Sequence, residues 1–186
     1  MGTCPDAIPV GHPPANVSVA HNQRRREAST LHGMAIRFPD VEGSSLSMVP
    51  HRLPQTLAGD VNLLLIAFRQ WQQRDVDTWT PLADELAVAY PQFRAYELPV
   101  ISQAYRPVAR FIDGGMRSGI PEPSVRDATI TLYINRTAFM RSLQIPTASS
   151  IVPMLVQPSG PILWRTEGPR TTRSEDELRS VLTSHR

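Results

Sequence analysis

The sequence predicts an α/β fold, a three-layer sandwich in which helices cover both faces of a mixed, mostly parallel central sheet. Three observations carry that prediction. From "VNLLLIAF" (61–68) onward, apolar runs of strand length alternate with segments of helical periodicity, a pattern that requires parallel crossovers. The first of these runs is apolar without a break, as expected of a strand covered on both faces. The chain then closes with a hairpin, "SIVPMLVQ", "QPSG" and "PILWRTEG", followed by an amphipathic helix.

Each element follows from local chemistry. Residues 34–60, with "FPDVEG" and "PHRLPQTLAGD", are dense in turn residues and read as an irregular lead-in to the strand at 61–68. A helix opens around Pro81, where Trp79, Leu82, Leu86 and Ala89 recur at three- and four-residue intervals until Pro91 ends the pattern. "FRAYELPVI" (93–101) alternates as a second strand, with Phe93, Ala95 and Glu97 opposite Arg94, Tyr96 and Leu98. In "SQAYRPVARFIDGGMRSG" (102–119) a helix is predicted from about Pro107, stopped by Gly114, with Val108, Phe111 and Ile112 facing the sheet.

"TITLYI" (129–134) alternates strictly and reads as a strand, and Asn135 can cap the short helix "RTAFMRSLQ", which packs Phe139, Met140 and Leu143. Pro158 and Gly160 suit the turn of the terminal hairpin. The last helix opens with Ser174-Glu175-Asp176-Glu177 as a capping box and places Leu178, Val181 and Leu182 on one face.

Composition excludes several classes of chemistry. All nineteen basic residues are Arg, so there is no phosphate-loop lysine, no Schiff-base lysine and no lysine base. The one cysteine, Cys4, lies in a leader, leaving no cysteine in the part expected to fold. His12, His21 and His32 share that leader without ligand spacing, and His51 and His185 have no Cys or His near them in sequence, so no metal site and no cofactor is expected. The net charge of +2 is spread over both parts of the chain, which argues against nucleic acid. No run approaches the roughly 20 apolar residues of a membrane span. Residues 1–33 are expected to be a disordered extension lacking the apolar core of a secretory signal, 34–186 a single domain, and the protein cytoplasmic.

Phe68, followed by "PLADELA" (81–87), resembles the thioredoxin-like superfamily, whose members carry a strand ending in Phe, a Cys-x-x-Cys and then a helix of the form Pro-x-x-Asp-Glu-x-Ala. In that register the two cysteine positions are occupied by Gln73 and Val76. Within the superfamily, "AFRQWQQ", "YELP", "DGGMRSGIP" and "PSGPILWRTEG" are most similar to the group containing the mitochondrial ATP synthase assembly factor for subunit 6 maturation and its prokaryotic cousins. The resemblance implies a thioredoxin-like sandwich and a role in assembling another protein. It also makes Pro153 the candidate for the peptide-binding cis proline; by its position in "PMLVQ" alone, Pro153 reads as a strand-start proline.

Trp71, Gln72, Gln73, Arg74 and Asp75 have the composition of a recognition surface for a protein or peptide. Glu97 reads as a residue at a strand end, the edge where open α/β sheets bind ligands. In "DGGMRSGIP", Arg117 either binds an anion or pairs internally with Asp113 across a helix stop. The expectation is a redox-inactive binding protein, more an assembly or chaperone-like factor than an enzyme. The alternative is a small-molecule binder or a non-thiol enzyme built on Glu97, Asp113 and Arg117.

Overall fold

In the computed structural model, which describes residues 36–185, a seven-stranded sheet has the spatial order β2-β1-β5-β4-β3-β6-β7. Strand β3 (Val61–Ala67) lies inside it, parallel to β4 (Phe93–Ser102) and antiparallel to β6 (Val152–Val156). All seven residues of β3 are buried. Leu64 and Ile66 enter one core, whereas Val61, Leu63, Leu65 and Ala67 enter the other. The unbroken apolar run is the direct result of that double burial.

Helices α1 (Gln73–Asp77) and α2 (Thr80–Ala89) cover one face together with the carboxyl-terminal helix α6 (Thr172–Ser184). Trp79, fully buried, meets Trp164 edge to face at 5.9 Å and donates its indole N–H to the Gly168 carbonyl at 3.2 Å. The other face packs Phe139 and Leu143 from the α5 segment (Arg136–Ser142 and the residue after it) against Leu98, Val100, Ile130 and Leu132. Asn135 caps α5 as expected, accepting the Ala138 N–H at 3.0 Å. The predicted hairpin is present: β6 pairs with β7 (Ile162–Arg165), and Gly160, at φ 107°, closes the turn by donating to the Gln157 carbonyl at 2.8 Å.

Four features differ from the sequence expectations. The irregular lead-in is a hairpin, β1 (Val41–Ser45) with β2 (Pro50–Leu53), and β1 pairs antiparallel with β5 (Ile130–Ile134). These strands lack apolar alternation. Pairing covers the edge that β5 would otherwise expose. Parallel pairing is consequently confined to β3–β4 and β4–β5, and antiparallel pairings outnumber it in the mixed sheet.

The helix after β4 starts as a 3₁₀ segment, Gln103–Val108, and continues as α3 (Ala109–Gly119) straight through Gly114 and Gly115. Its inward residue is Asp113, so Phe111 is 86% exposed and Val108 49% exposed instead of facing the sheet. A further short helix, α4 (Pro123–Ala128), precedes β5. Finally, α6 begins earlier than expected: Thr171 is its N-cap and Ser174 the reciprocal partner of the capping box. The expected extension at 1–33 and Cys4 lie outside the described residues. Among the described residues no helix is long and apolar enough to cross a membrane.

Candidate functional site

The carboxyl edge of the parallel strands is where β3 hands over to helix. Phe68 is still buried in the core, and Gln70–Gln72 then makes a single 3₁₀ turn that runs into α1. Gln72 holds this turn in place. Its Oε1 accepts from the backbone N–H groups of Phe68 (2.8 Å) and Arg69 (3.1 Å), while Nε2 donates to the Ala148 carbonyl (3.1 Å). The end of β3 is thereby tied to the loop before β6, and Gln72, fully buried, is a clamp with no surface to offer a partner.

Around that clamp Trp71 is 55% exposed, Gln73 and Arg74 are exposed and Asp75 is half-buried. Thr78 Oγ1 donates to the Asp75 carbonyl at 2.6 Å, which closes α1. Gln73 Nε2 reaches Asp77 Oδ1 at 3.1 Å and Glu97 Oε2 at 3.4 Å. Glu97 sits within β4, opposite Leu65, so it lies inside the strand and not at its end. Burial pushes its carboxyl above the usual carboxylate range; the Gln73 hydrogen bond opposes that shift and the Asp77 charge adds to it.

The structure thus joins Gln73 to Glu97 and adds Asp77, which the sequence reading passed over. The four-residue spacing of Gln73 and Asp77 on one helix was the available signal. Pro153 does not line this surface. It is buried inside β6 opposite Leu65, and the cis peptide bond found among the described residues is Leu53–Pro54. Thr147 and Ser149, whose hydroxyls lie 2.6 Å apart, occupy the loop that the Gln72 clamp holds.

Asp113 and Arg117 belong to another place. Tyr133 Oη donates to Asp113 Oδ1 at 2.9 Å, and burial, with the Asp113 carboxylate next in weight, raises the phenol's pKa, so it remains a neutral donor. Arg117 stands in the last turn of α3 with its Nε buried and unpartnered; it forms no pair with Asp113. Among the described residues no hydrogen bond or ion pair links either of them to Glu97.

No protein-family model matches the chain, and no curated protein matches it in sequence. Solved structures do match its shape. A protein from Aquifex aeolicus VF5 superposes with a TM-score of 0.58 at 12% identity, over 83% of this chain and 99% of its own. BsSco, of the Sco family of cytochrome c oxidase assembly proteins, matches with a TM-score of 0.55 at 16% identity, over 81% and 94% of the two chains. The exposed lipoprotein thioredoxin of Streptococcus pneumoniae strain TIGR4 gives 0.50 at 14% identity, over 78% and 99%. With the inner strand β3 flanked by β4 and β6, helices on both faces and these structural matches, the chain has a thioredoxin-like α/β fold.

Proposed function

We propose that this thioredoxin-fold protein acts by binding another protein or peptide, without thiol chemistry, at the surface around Trp71. The observation that carries this reading is the contrast between neighbours: Trp71 is 55% exposed while Gln72, fully buried, fixes the backbone beneath it. An exposed aromatic beside an arginine, here Arg74, is the composition of an interface hot spot. Disulfide exchange needs a thiolate. In the register that the resemblance sets, the two superfamily cysteine positions hold Gln73, engaged with Glu97, and Val76, 3% exposed in the core.

An assembly role is the form of binding we favour. It follows from the resemblance to the ATP synthase assembly factor group, and BsSco, whose family assembles cytochrome c oxidase, has the same fold. Crosslinking capture by the full chain, compared with a Trp71→Ala/Arg74→Ala variant, tests the surface. A defined partner should be recovered with the native chain and lost, by about tenfold or more in affinity, with the variant. Equal capture by both would end the assignment of the surface. A disulfide-exchange assay tests the chemistry: neither the native chain nor Cys4→Ser should turn over, and turnover that disappears in Cys4→Ser would overturn the thiol-free reading.

A further inference from the structure

A cleft of about 570 Å³ opens between the β1–β2 hairpin and the helical segment running from the 3₁₀ turns into α3, sharing no residue with the Trp71 surface. That volume lies within the usual range of small-molecule sites, roughly 300–1,000 Å³. The charged side chains in its lining are Arg52, Arg106 and Arg110 with Glu42 and Asp113. Arg52 is held by Asp40 at 2.9 and 3.1 Å, and Asp113 accepts from Tyr133.

Arg106 and Arg110 are different. They stand four residues apart on one continuous helical segment, both exposed, and among the described residues neither side chain has an ion-pair or hydrogen-bond partner. Like charges at that spacing repel unless an anion bridges them.

A second observation comes from the sheet side of the same cleft. Thr131 lines it, is 1% exposed, and has a hydroxyl that meets no hydrogen-bond partner. Buried hydroxyls are nearly always paired, and an orphan beside a cavity marks a contact that a ligand can complete. Beside these polar groups, Met48 and Pro50 of the hairpin and Ala109 of α3 supply apolar lining.

We propose that this cleft binds a small organic molecule carrying one phosphate or carboxylate group. Arg106 and Arg110 take the anion, Met48, Pro50 and Ala109 pack against its apolar body, and Thr131 supplies a polar contact at the base. Of the residues that sequence reading assigned to a small ligand, Asp113 lines the site, while Glu97 and Arg117 stand outside it.

Calorimetric titration of the full chain with phenyl phosphate, inorganic phosphate and phenol tests the proposal. Phenyl phosphate should bind and raise the melting temperature, inorganic phosphate should bind about tenfold more weakly, and phenol should not bind. Arg106→Ala/Arg110→Ala should weaken phenyl phosphate by about tenfold or more while melting, unliganded, with the native chain. Thr131→Val should weaken it by about threefold while its unliganded melting temperature holds or rises, because an unpaired hydroxyl has been removed. Arg141→Ala, an exposed arginine outside the cleft, is the control that should leave binding unchanged. Absence of phenyl phosphate binding at millimolar concentration would overturn the site. So would equal binding by the double variant, or inorganic phosphate binding as tightly as phenyl phosphate. None of these results bears on the Trp71 surface.

Discussion

Three backbone groups converge on the buried amide of Gln72, two from the end of β3 and one from the loop before β6. Truncation leaves all three without their partner. Gln72→Ala should destabilise the protein by about 2–3 kcal/mol, a cost dominated by unmet buried groups, and urea denaturation measures it. An effect no larger than that of an exposed glutamine such as Gln70 would show that water replaces the clamp.

Glu97 gives a pH-dependent prediction. A free glutamate titrates near about 4.3, and burial raises Glu97 in the folded chain. Its favourable contribution is therefore complete below that pH, where both states are protonated. It is lost as the pH rises toward the folded value, because the unfolded chain ionises first. Glu97→Gln stays neutral and retains an oxygen for Gln73. It should melt higher than the native chain at neutral pH and together with it near pH 4; a constant offset across that range would contradict the assignment.

At the scale of elements, α3 shows how tertiary contacts redirect a helix. Gly114 and Gly115 look like a stop, yet both lie inside the helix and neither has a positive φ. A Cβ built at either would meet nothing within 4 Å. Gly114→Ala should accordingly stabilise the protein by about 0.5–1 kcal/mol, read from thermal or urea melts. A loss of stability would restore the glycine to a turn. At the start of α6, Thr171 caps the Ser174 N–H at 3.2 Å, and Thr171→Ala should cost about 1 kcal/mol in the same measurement.

The whole molecule is organised by β3, which supplies alternate residues to the two cores. Leu64→Ala opens a cavity in one core and Leu65→Ala in the other, and each should cost about 2–5 kcal/mol. Because one strand serves both, each variant should still unfold in a single transition, coincident by tryptophan fluorescence and far-UV circular dichroism. Separated transitions would mean that the faces are energetically independent.

By itself the sequence determined the parts whose signal is local. The apolar run of β3, the periodicity of α2, the alternation of β4 and β5, the Asn135 cap and the Pro158–Gly160 turn each depend on neighbours a few residues away. The α/β class followed from their order, and its thioredoxin-like form from the resemblance carried by Phe68 and residues 81–87. Tertiary structure alone decided that Gln72 is buried, that Gln73 meets Glu97 and that Asp113 turns inward. It also paired β1, which carries no apolar alternation, with β5. The partners there are remote: the Gln72 amide meets a carbonyl 76 residues away, and Asp113 meets Tyr133 20 residues on. A buried polar side chain goes where its hydrogen-bond partner is, and periodicity along the chain carries no record of a partner that only folding brings near.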